Sequence, residues 1–271
     1  MRTSIADYEV IRAAQVGPTG RSKYLCRPPA RLGLQDPVTV TELDADAGGW
    51  QQLADHLVRL ACVESPDLLA LLEVGPDLSP DSPAVYLVTE TALGGSLDRP
   101  TGILDRTARI SAVAAAARAA HAMHEAGLPH GSICPPLLLL TPGGAVLGPP
   151  RLDAPLGLAT LVGSWKELST VDPDLLSGEG PSRSSDIWSL GATLHGALSD
   201  RPLYPGIEDD EPVTAVQRVL FTRPEIDPAL DGPEVEIVRA CLETDPATRP
   251  DTALEVAERL HGMAGLSGMA G

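Results

Sequence analysis

Lysine is almost absent from this chain, since only Lys23 and Lys166 occur among its 271 residues. Any chemistry that needs an amine must therefore use one of these two side chains. The formal net charge of −17 argues against nucleic-acid partners and anionic membrane surfaces, because the negative field of the protein repels both. Solubility is the simpler interpretation of the acidity.

Clustered cysteines and long apolar runs are also missing. The four cysteines are scattered without metal-ligand spacing, which favours buried free thiols over disulfides or zinc ligands. No run of about 18 apolar residues occurs, and no basic N-terminal region precedes an apolar one, so neither a membrane span nor a signal peptide is predicted. We therefore expect a cytoplasmic protein with no membrane insertion. The chain of 271 residues is long enough for a two-lobed domain with a full core, and its 43% hydrophobic content is that of a globular protein.

The stretch 184–198 predicts a helix with apolar side chains on nearly every face, and such a helix is buried. Its apolar residues recur at helical spacing: Ile187, Leu190, Leu194 and Leu198. Ser184 or Ser185 is the predicted N-cap, and Asp186 lies in the first turn, near the positive end of the helix dipole. Asp186 either satisfies the start of its own helix or ties a distant loop to it, and the sequence leaves both readings open.

The remaining elements follow from periodicity and from capping residues. Alternation predicts strands at residues 8–10, 37–43, 68–74, 85–90, 138–140 and 145–148. Helices are predicted over residues 105–126, 212–220 and 235–242, with others beginning at Trp50 and, through a capping box, at Thr252.

Three motifs occur in an order typical of one protein family: Asp172-Pro-Asp174, the helix 184–198, and the run CLETDPATRP at residues 241–250. Together they resemble the large lobe of bacterial Ser/Thr protein kinases of the eukaryotic type. The resemblance is strong over residues 105–260 and weaker before them. It implies a bilobal α+β fold with a mostly antiparallel β N-lobe carrying one helix (1–92), a mainly helical C-lobe (93–262) and a flexible tail (263–271).

Residues that build the family's fold are kept in this sequence. His130 stands at a packing position beside the family's catalytic loop, and Asp186 opens the buried helix. By the resemblance, Asp174 and Arg249 form a buried ion pair, with Asp174 replacing a glutamate. We expect structural roles for His121 and His124 as well as His130, because no nucleophile and base line up beside them in the sequence.

Residues that perform the family's chemistry are replaced. Thr41 stands at the position of the phosphate-anchoring lysine, and Ser132 at that of the catalytic aspartate. Cys134 replaces a lysine that touches the transferred phosphate, and Leu137 replaces an asparagine that holds metal. Phosphoryl transfer depends on these charges.

Two further positions of the family pattern are degenerate. The glutamate that pairs with the anchor lysine falls on His56, or on Asp55 if the register slips by one residue. The metal-binding aspartate falls on Pro150, which has no group that can ligate magnesium. An insertion of three residues would bring Asp153 to that place, and the sequence leaves this open.

Nucleotide contacts would come from the first part of the chain. Gly17 and Gly20 occupy the place of the family's glycine-rich hairpin, but an ordinary hairpin turn is the favoured interpretation of that segment. Lys23 is the candidate for a relocated anchor lysine, and Glu90 to Ala92 would form the hinge between the lobes.

The resemblance therefore implies a pseudokinase that serves as a signalling scaffold for protein partners, such as an active kinase or a phosphopeptide-reading domain. Ser164, Ser169 and Thr170 are candidate phosphoacceptors in the activation segment. No cofactor is expected under this reading. The alternative is an atypical Ser/Thr kinase or nucleotide binder, which would use ATP and Mg²⁺ with Lys23 and Asp153.

Overall fold

A computed structural model describes residues 3–16, 22–43, 50–77, 84–150, 165–230 and 232–267. These residues form two compact units. The first comprises the described residues up to Glu64 together with Leu69–Thr91, and the second comprises Ser65–Leu68 and the described residues from Ala92 onward. The first is built on an antiparallel sheet and the second is mainly helical, so the predicted α+β, bilobal kinase-like fold class is confirmed.

The first unit contains a six-stranded antiparallel sheet in the order β1-β2-β3-β4-β6-β5. Its strands are β1 (Ser4–Ile5), β2 (Tyr8–Val16), β3 (Ser22–Arg27), β4 (Val38–Leu43), β5 (Leu71–Asp77) and β6 (Ala84–Glu90). Helix α1 (Trp50–Ala61) lies between β4 and β5 in the chain. The predicted strands were found with two differences in their bounds: β2 extends well beyond residue 10, and β5 begins at Leu71, three residues after the predicted start.

Alternation along β4 and β6 gives this sheet two apolar faces. On one face Val40 and Val88, which are register partners, pack with Tyr8. On the other face Leu43 and Leu57 pack together, so that α1 covers this side of the sheet. Residues of β4 that share a face with Leu43, such as Thr41, therefore lie on the side of the sheet that carries α1.

The second unit combines helices with a small sheet in the order β10-β9-β7-β8. The strands are β7 (Gly95–Ser96), β8 (Arg99–Pro100), β9 (Leu138–Thr141) and β10 (Gly144–Leu147). The helices are α2 (Arg106–Glu125), α3 (Trp165–Leu168), α4 (Pro173–Leu176), α5 (Arg183–Leu198), α6 (Pro212–Phe221), α7 (Glu234–Cys241) and α8 (Ala253–Ser267).

Helix α5 lies at the centre of the apolar core of this unit. Ile187, Leu190 and Leu194 are buried, and Ala192 and Ala197 are buried on its other sides, as the sequence predicts. It packs against α2, which is rich in alanine, and against α7. Small residues permit this close approach, since a Cβ added at Gly191 would lie 2.4 Å from a side-chain atom of Cys241 in α7.

Two details at the ends of helices differ from the sequence prediction. The N-cap of α5 is Ser182, which forms a capping box with Ser185, so the predicted caps Ser184 and Ser185 are wrong. The helix begins at Arg183, and a cap must directly precede the first helical residue. Helix α8 continues to Ser267, so residues 263–267 are helical where a flexible tail was predicted, and residues 268–271 lie outside the described part of the chain.

Candidate functional site

Asp186 ties the loop after α2 to the start of α5. Its side chain is fully buried, and its Oδ2 atom lies 2.7 Å from His124 Nε2. The backbone N–H groups of His130 and Gly131 donate to Oδ2 and Oδ1, each over 2.7 Å. One carboxylate thus contacts His124 in the last turn of α2 and accepts two backbone N–H groups of the loop that follows. Of the two interpretations of the sequence, the second is therefore correct: Asp186 ties a distant loop to its helix.

The backbone of this loop depends on Gly131. Its φ angle is 71°, in the left-handed region that side chains disfavour. A Cβ at this position would also lie 2.9 Å from Pro181. Glycine therefore allows the turn that presents two consecutive N–H groups to Asp186.

The His130 ring lies inside the same segment, with 4% of its surface exposed. Its Nε2 atom lies 3.0 Å from the carbonyl oxygen of Gly148, beyond the end of β10. Its Nδ1 atom lies 3.4 Å from Ser132 Oγ. The structure thus brings a serine hydroxyl beside a histidine, a proximity that the sequence does not signal because it depends on the backbone turn at Gly131.

The buried partner of Arg249 is Asp172, and the predicted pair with Asp174 is wrong. Arg249 Nη1 lies 2.5 Å from Asp172 Oδ2, and the two side chains are 1% and 2% exposed. Arg249 also donates to the carbonyl oxygens of Glu243 and Ser184, and its guanidinium lies 4.9 Å from the ring centre of Trp188.

The start of α4 explains why Asp172 takes this role. Asp172 is the N-cap before Pro173, and its Oδ1 atom accepts the N–H of Asp174 over 3.1 Å while Oδ2 faces Arg249. Asp174 lies in the first turn and is exposed. Desolvation and the nearby charge of Asp172 raise the pKa of Asp174. An Asp-Pro pair at a helix start is a signature of an N-cap, and this signal in the sequence favours Asp172.

The positions that resemble catalytic ones in this unit carry neutral side chains. Leu137 ends the 3₁₀ turn Pro135–Leu137 and belongs to the apolar core. Cys134 belongs to the same core, Pro150 is buried, and Ser132 is half-buried. A leucine side chain has no atom that can hold a metal ion, so this position does not fit the asparagine it replaces.

In the first unit, Lys23 and Thr41 are register partners on β3 and β4. Partners in an antiparallel ladder project from the same face of a sheet, so Lys23 shares the face of Thr41, on the side that carries α1. Thr41 is buried, with 7% of its surface exposed. β4 has no lysine at Thr41, but the neighbouring strand β3 carries the amine of Lys23 at the partner position.

His56 on α1 is an uncharged replacement for the expected glutamate. Desolvation, with a smaller effect from Arg59, lowers the pKa of His56, so the ring is neutral at neutral pH. Its Nε2 atom is buried and has no hydrogen-bond partner among the described residues. Asp55, the alternative in a shifted register, is exposed.

Several predicted site residues lie outside the described part of the chain: Gly17, Gly20, Asp153 and Ser164. Glu90 ends β6 opposite Val38 and is exposed, and Ala92, the first residue after Thr91 that belongs to the second unit, is half-buried. The nucleotide-binding role of Glu90 and Ala92 stays a prediction.

The candidate phosphoacceptors Ser169 and Thr170 are buried, with 8% and 4% of their surfaces exposed. Their hydroxyls donate to the carbonyl oxygens of Lys166 and Glu167 over 2.9 and 2.7 Å. In this conformation both hydroxyls already have acceptors and face the protein, so neither is presented to an enzyme.

Asp67 is joined to α2 by an ion pair with Arg118, here called the clasp on Asp67, which no pattern in the sequence indicates. Arg118 Nε and Nη2 each lie 2.8 Å from one carboxylate oxygen of Asp67, which is a bidentate pair. The carbonyl oxygen of Asp67 also accepts the N–H of Leu147 over 2.8 Å, and Leu68 forms a parallel bridge with Leu147. No periodicity or motif marks these residues, because their partners are far away in the chain.

Two features are absent from the described residues. Their helices include none with the length and hydropathy that crossing a membrane requires. Among the same residues, no group of three or more His, Cys, Asp or Glu side chains is arranged to hold a metal ion.

Comparison with known proteins finds relatives among mycobacterial kinases. No family model matches the chain. The serine/threonine-protein kinase PknK of Mycobacterium tuberculosis (strain CDC 1551 / Oshkosh) is 29% identical over 210 residues, which cover 72% of this chain and 18% of PknK. The serine/threonine-protein kinase PknB of Mycolicibacterium smegmatis is 26% identical over 235 residues, covering 79% of this chain and 36% of PknB.

This chain thus matches only part of each of these larger relatives, at most 36% of their length. The matched residues cover most of this chain, and the architecture is that of a β-sheet unit followed by a mainly helical one. These similarities and the α+β fold together support a protein kinase-like family for this chain.

Proposed function

We propose that this chain is a pseudokinase, a protein kinase-like module that binds protein partners and does not transfer phosphate from ATP. The observation that carries this proposal is the position of Leu137 in the apolar core, where the family places a metal-holding asparagine. Phosphoryl transfer depends on metal ions and fixed charges around the phosphates. An apolar side chain supplies neither.

The other replacements support the same proposal. Thr41 and Ser132 are neutral hydroxyl residues in place of a cation and an anion, and His56 is held neutral by burial. The chain retains contacts that stabilise the second unit. They are those of Asp186, those of His130 and the Asp172–Arg249 ion pair. Among the described residues, the chain thus keeps contacts that stabilise the fold, while neutral side chains stand at the positions Thr41, Ser132 and Leu137.

The partners that we propose are proteins: an active Ser/Thr kinase or a phosphopeptide-reading domain. The relatives are named as Ser/Thr kinases, which supports a role beside such enzymes. The net charge of −17 favours partners with basic surfaces, because complementary charge speeds encounter. Ser164 remains the proposed phosphoacceptor in the activation segment, since Ser169 and Thr170 are buried.

The test is a transfer assay with γ-labelled ATP. The purified chain is incubated with ATP, with Mg²⁺ or Mn²⁺, and with a generic basic protein substrate. We expect no label on the chain or on the substrate above a heat-inactivated sample. Time-dependent incorporation of label by the wild type would contradict the proposal. If the Leu137→Ala variant retained that incorporation, the activity would not depend on this position.

A second candidate function, nucleotide binding without turnover, is favoured by the register of Lys23 opposite Thr41. In this reading Lys23 supplies the charge that a phosphate group requires. A thermal-shift titration with ATP, with and without Mg²⁺, tests it. The chain offers a matched control, because Lys166 is its other lysine and is exposed.

If Lys23 binds phosphate, ATP raises the melting temperature of the wild type and of Lys166→Ala, but not that of Lys23→Ala. No shift in any of the three proteins at millimolar ATP would exclude this second function. It would leave the binding of protein partners as the proposed role.

A further inference from the structure

Helix α6 presents an apolar face to solvent. Val213 and Phe221 are 70% and 82% exposed, and Phe221 is the single phenylalanine of the sequence. Each lies one helical turn from Gln217, which is also exposed, so the three residues share one side of the helix and are here called the α6 face. Isolated exposed apolar residues are normal on a protein surface, whereas two that share one helix face form a patch.

The opposite side of α6 fixes the helix to the second unit. Ala215, Val216 and Val219 are buried there. Arg218 Nε and Nη2 lie 2.5 and 3.1 Å from the two carboxylate oxygens of Asp210, which ties the helix to the turn before it. The α6 face therefore stays at the surface, because turning it inward would expose the buried valines.

Opposite charges stand at the two ends of α6. Glu211 is the N-cap residue, and its side chain makes no capping bond to the helix. Arg223 follows the C-cap residue, after which the N–H of Glu225 donates to the carbonyl oxygen of Leu203 and returns the chain to the body of the unit. Glu211 and Arg223 are exposed, and neither forms an ion pair with another described residue.

The order of these residues is symmetric about Gln217. Val213 and Phe221 lie four residues on either side of it, and Glu211 and Arg223 lie six residues on either side. An interface between identical copies related by a two-fold axis requires self-complementary patches of this kind. When two α6 helices lie antiparallel and cross at Gln217, Val213 of one copy faces Phe221 of the other. Glu211 of each copy then faces Arg223 of the other.

The charges favour a second copy in this orientation. The net charge of −17 on each copy opposes association, so a stable contact requires a place where the local charges are complementary. The antiparallel arrangement joins opposite charges twice, whereas a parallel one would place Glu211 against its own counterpart. Glu208 and Asp209, which precede α6, add further negative charge at the end that receives the arginine.

We propose that the chain forms a two-fold symmetric dimer through the α6 face, with the two helices antiparallel and Gln217 at the axis. Phe221 of each copy packs on Val213 of the other, and two Glu211–Arg223 ion pairs close the ends. The dimer does not rest on the proposed pseudokinase function, because none of these residues stands at a position that resembles a catalytic one.

The contact is small, since each copy contributes one face of a helix of ten residues. Interfaces that bury less than about 1,000 Å² are weak or transient, so we expect a reversible dimer with a dissociation constant of about 10 to 100 μM. Sedimentation equilibrium of the full chain from about 5 to 500 μM spans this range and measures the constant.

The first variant tests the apolar part of the interface. Phe221→Ala removes its largest side chain and should raise the dissociation constant about 30-fold or more, because a central aromatic anchor carries much of the binding energy. Ile103→Ala is the matched control, since Ile103 is a fully exposed apolar residue of the same unit outside α6. This control should dimerise as the wild type does. Circular dichroism shows that each variant is folded.

The second experiment tests the orientation of the helices by exchanging charges. Glu211→Arg alone would place two arginines opposite each other at both ends, and Arg223→Glu alone would place two glutamates there. Each variant should therefore be monomeric by itself. An equimolar mixture of the two should form a heterodimer, because the introduced arginine then faces the introduced glutamate and the native Arg223 faces the native Glu211.

The proposal is overturned if the wild type remains monomeric at the highest concentration. It is also overturned if Phe221→Ala dimerises as tightly as Ile103→Ala and the wild type, because another surface would then hold the dimer. Charge variants that dimerise singly as the wild type does, or a mixture of them that stays monomeric, would contradict the antiparallel pairing of Glu211 with Arg223.

Discussion

At the scale of single residues, Asp172 compensates the buried charge of Arg249, and Asp174 two positions later does not. We expect Asp172→Ala to lower the free energy of unfolding by about 3 to 5 kcal/mol, because it leaves a buried guanidinium without its partner. Asp174→Ala should change it by less than about 0.5 kcal/mol, since that side chain is exposed. Urea unfolding measures both, and equal losses in the two variants would contradict the assigned pair.

A second prediction concerns His195 on α5. Burial lowers the pKa of His195 to about 4, although the Asp227 carboxylate opposes this shift, and His195 Nε2 accepts the backbone N–H of Asp227. Between the ordinary value near 6.5 and pH 4, the unfolded chain binds a proton that the folded chain does not. The free energy of unfolding should therefore fall as the pH drops through this range, by up to about 1.4 kcal/mol per pH unit from this residue.

The variant His195→Gln keeps an acceptor for the Asp227 N–H but does not titrate. Its free energy of unfolding should decline less steeply than that of the wild type between pH 6.5 and pH 4, as urea unfolding at several pH values will show. Parallel curves for the two proteins would mean that other groups account for the acid sensitivity.

Site residues could be predicted where a local sequence pattern indicates their position. Asp186 follows a run of polar residues and opens a strongly apolar helix, so its position was clear from the sequence. The family pattern predicted Asp174 as the partner of Arg249, whereas the partner is Asp172, two residues earlier. The pattern places the acidic partner in the correct turn of the chain but does not distinguish two carboxylates within that turn. The direction of each side chain depends on where α4 begins, which is set by Pro173.

At the scale of elements, the packing of α5 against α7 depends on Gly191. A methyl group there would overlap Cys241, so Gly191→Ala should destabilise the protein by about 1 to 3 kcal/mol. Gly196 lies on the same helix with no atom within 4 Å of an added Cβ. Gly196→Ala should therefore stabilise it by about 0.5 to 1 kcal/mol through helix propensity.

Thermal or urea unfolding of the two variants tests this contrast, with each serving as the control for the other. Destabilisation by both alanines would indicate that the helix tolerates no added bulk. Stabilisation by both would mean that α5 and α7 can separate enough to admit a methyl group.

The long periodic elements were predicted well, and so were the four-residue strands β9 and β10, whereas the two-residue strands were not. The helix predicted at residues 105–126 corresponds to α2, with Asp105 as its N-cap, because twenty residues of helical pattern outweigh local signals. The strands β7 and β8 have two residues each and carry no periodicity. They form because β9 provides a ladder partner for β7, which a local pattern cannot reveal.

At the scale of the whole molecule, the net charge of −17 opposes folding through self-repulsion. Salt screens this repulsion over distances of about 10 Å at 0.1 M. Raising NaCl from 20 to 200 mM should therefore increase the melting temperature by roughly 2 to 4 °C, the shift that about 1 kcal/mol produces in a domain of similar size. A melting temperature that falls with salt would indicate that surface ion pairs contribute more than the repulsion.

The α+β class and the order of the large elements could be predicted because composition and periodicity act over the entire chain. The assignment of Ser65–Leu68 to the helical unit could not, since it depends on Arg118 and Leu147, which follow more than fifty residues later. The serine and histidine pair at Ser132 and His130 likewise required the backbone geometry around Gly131.

The clasp on Asp67 has a practical consequence for anyone who divides this gene. An expression product that stops at Thr91 would include Ser65–Leu68, yet the arginine and the strand that hold this tetrapeptide would be encoded on the discarded piece. The fragment that ends at Thr91 would lack the partners of Ser65–Leu68, and the other fragment would lack Ser65–Leu68 itself. When the two fragments are mixed, this loop of the first fragment would have to bind to the second.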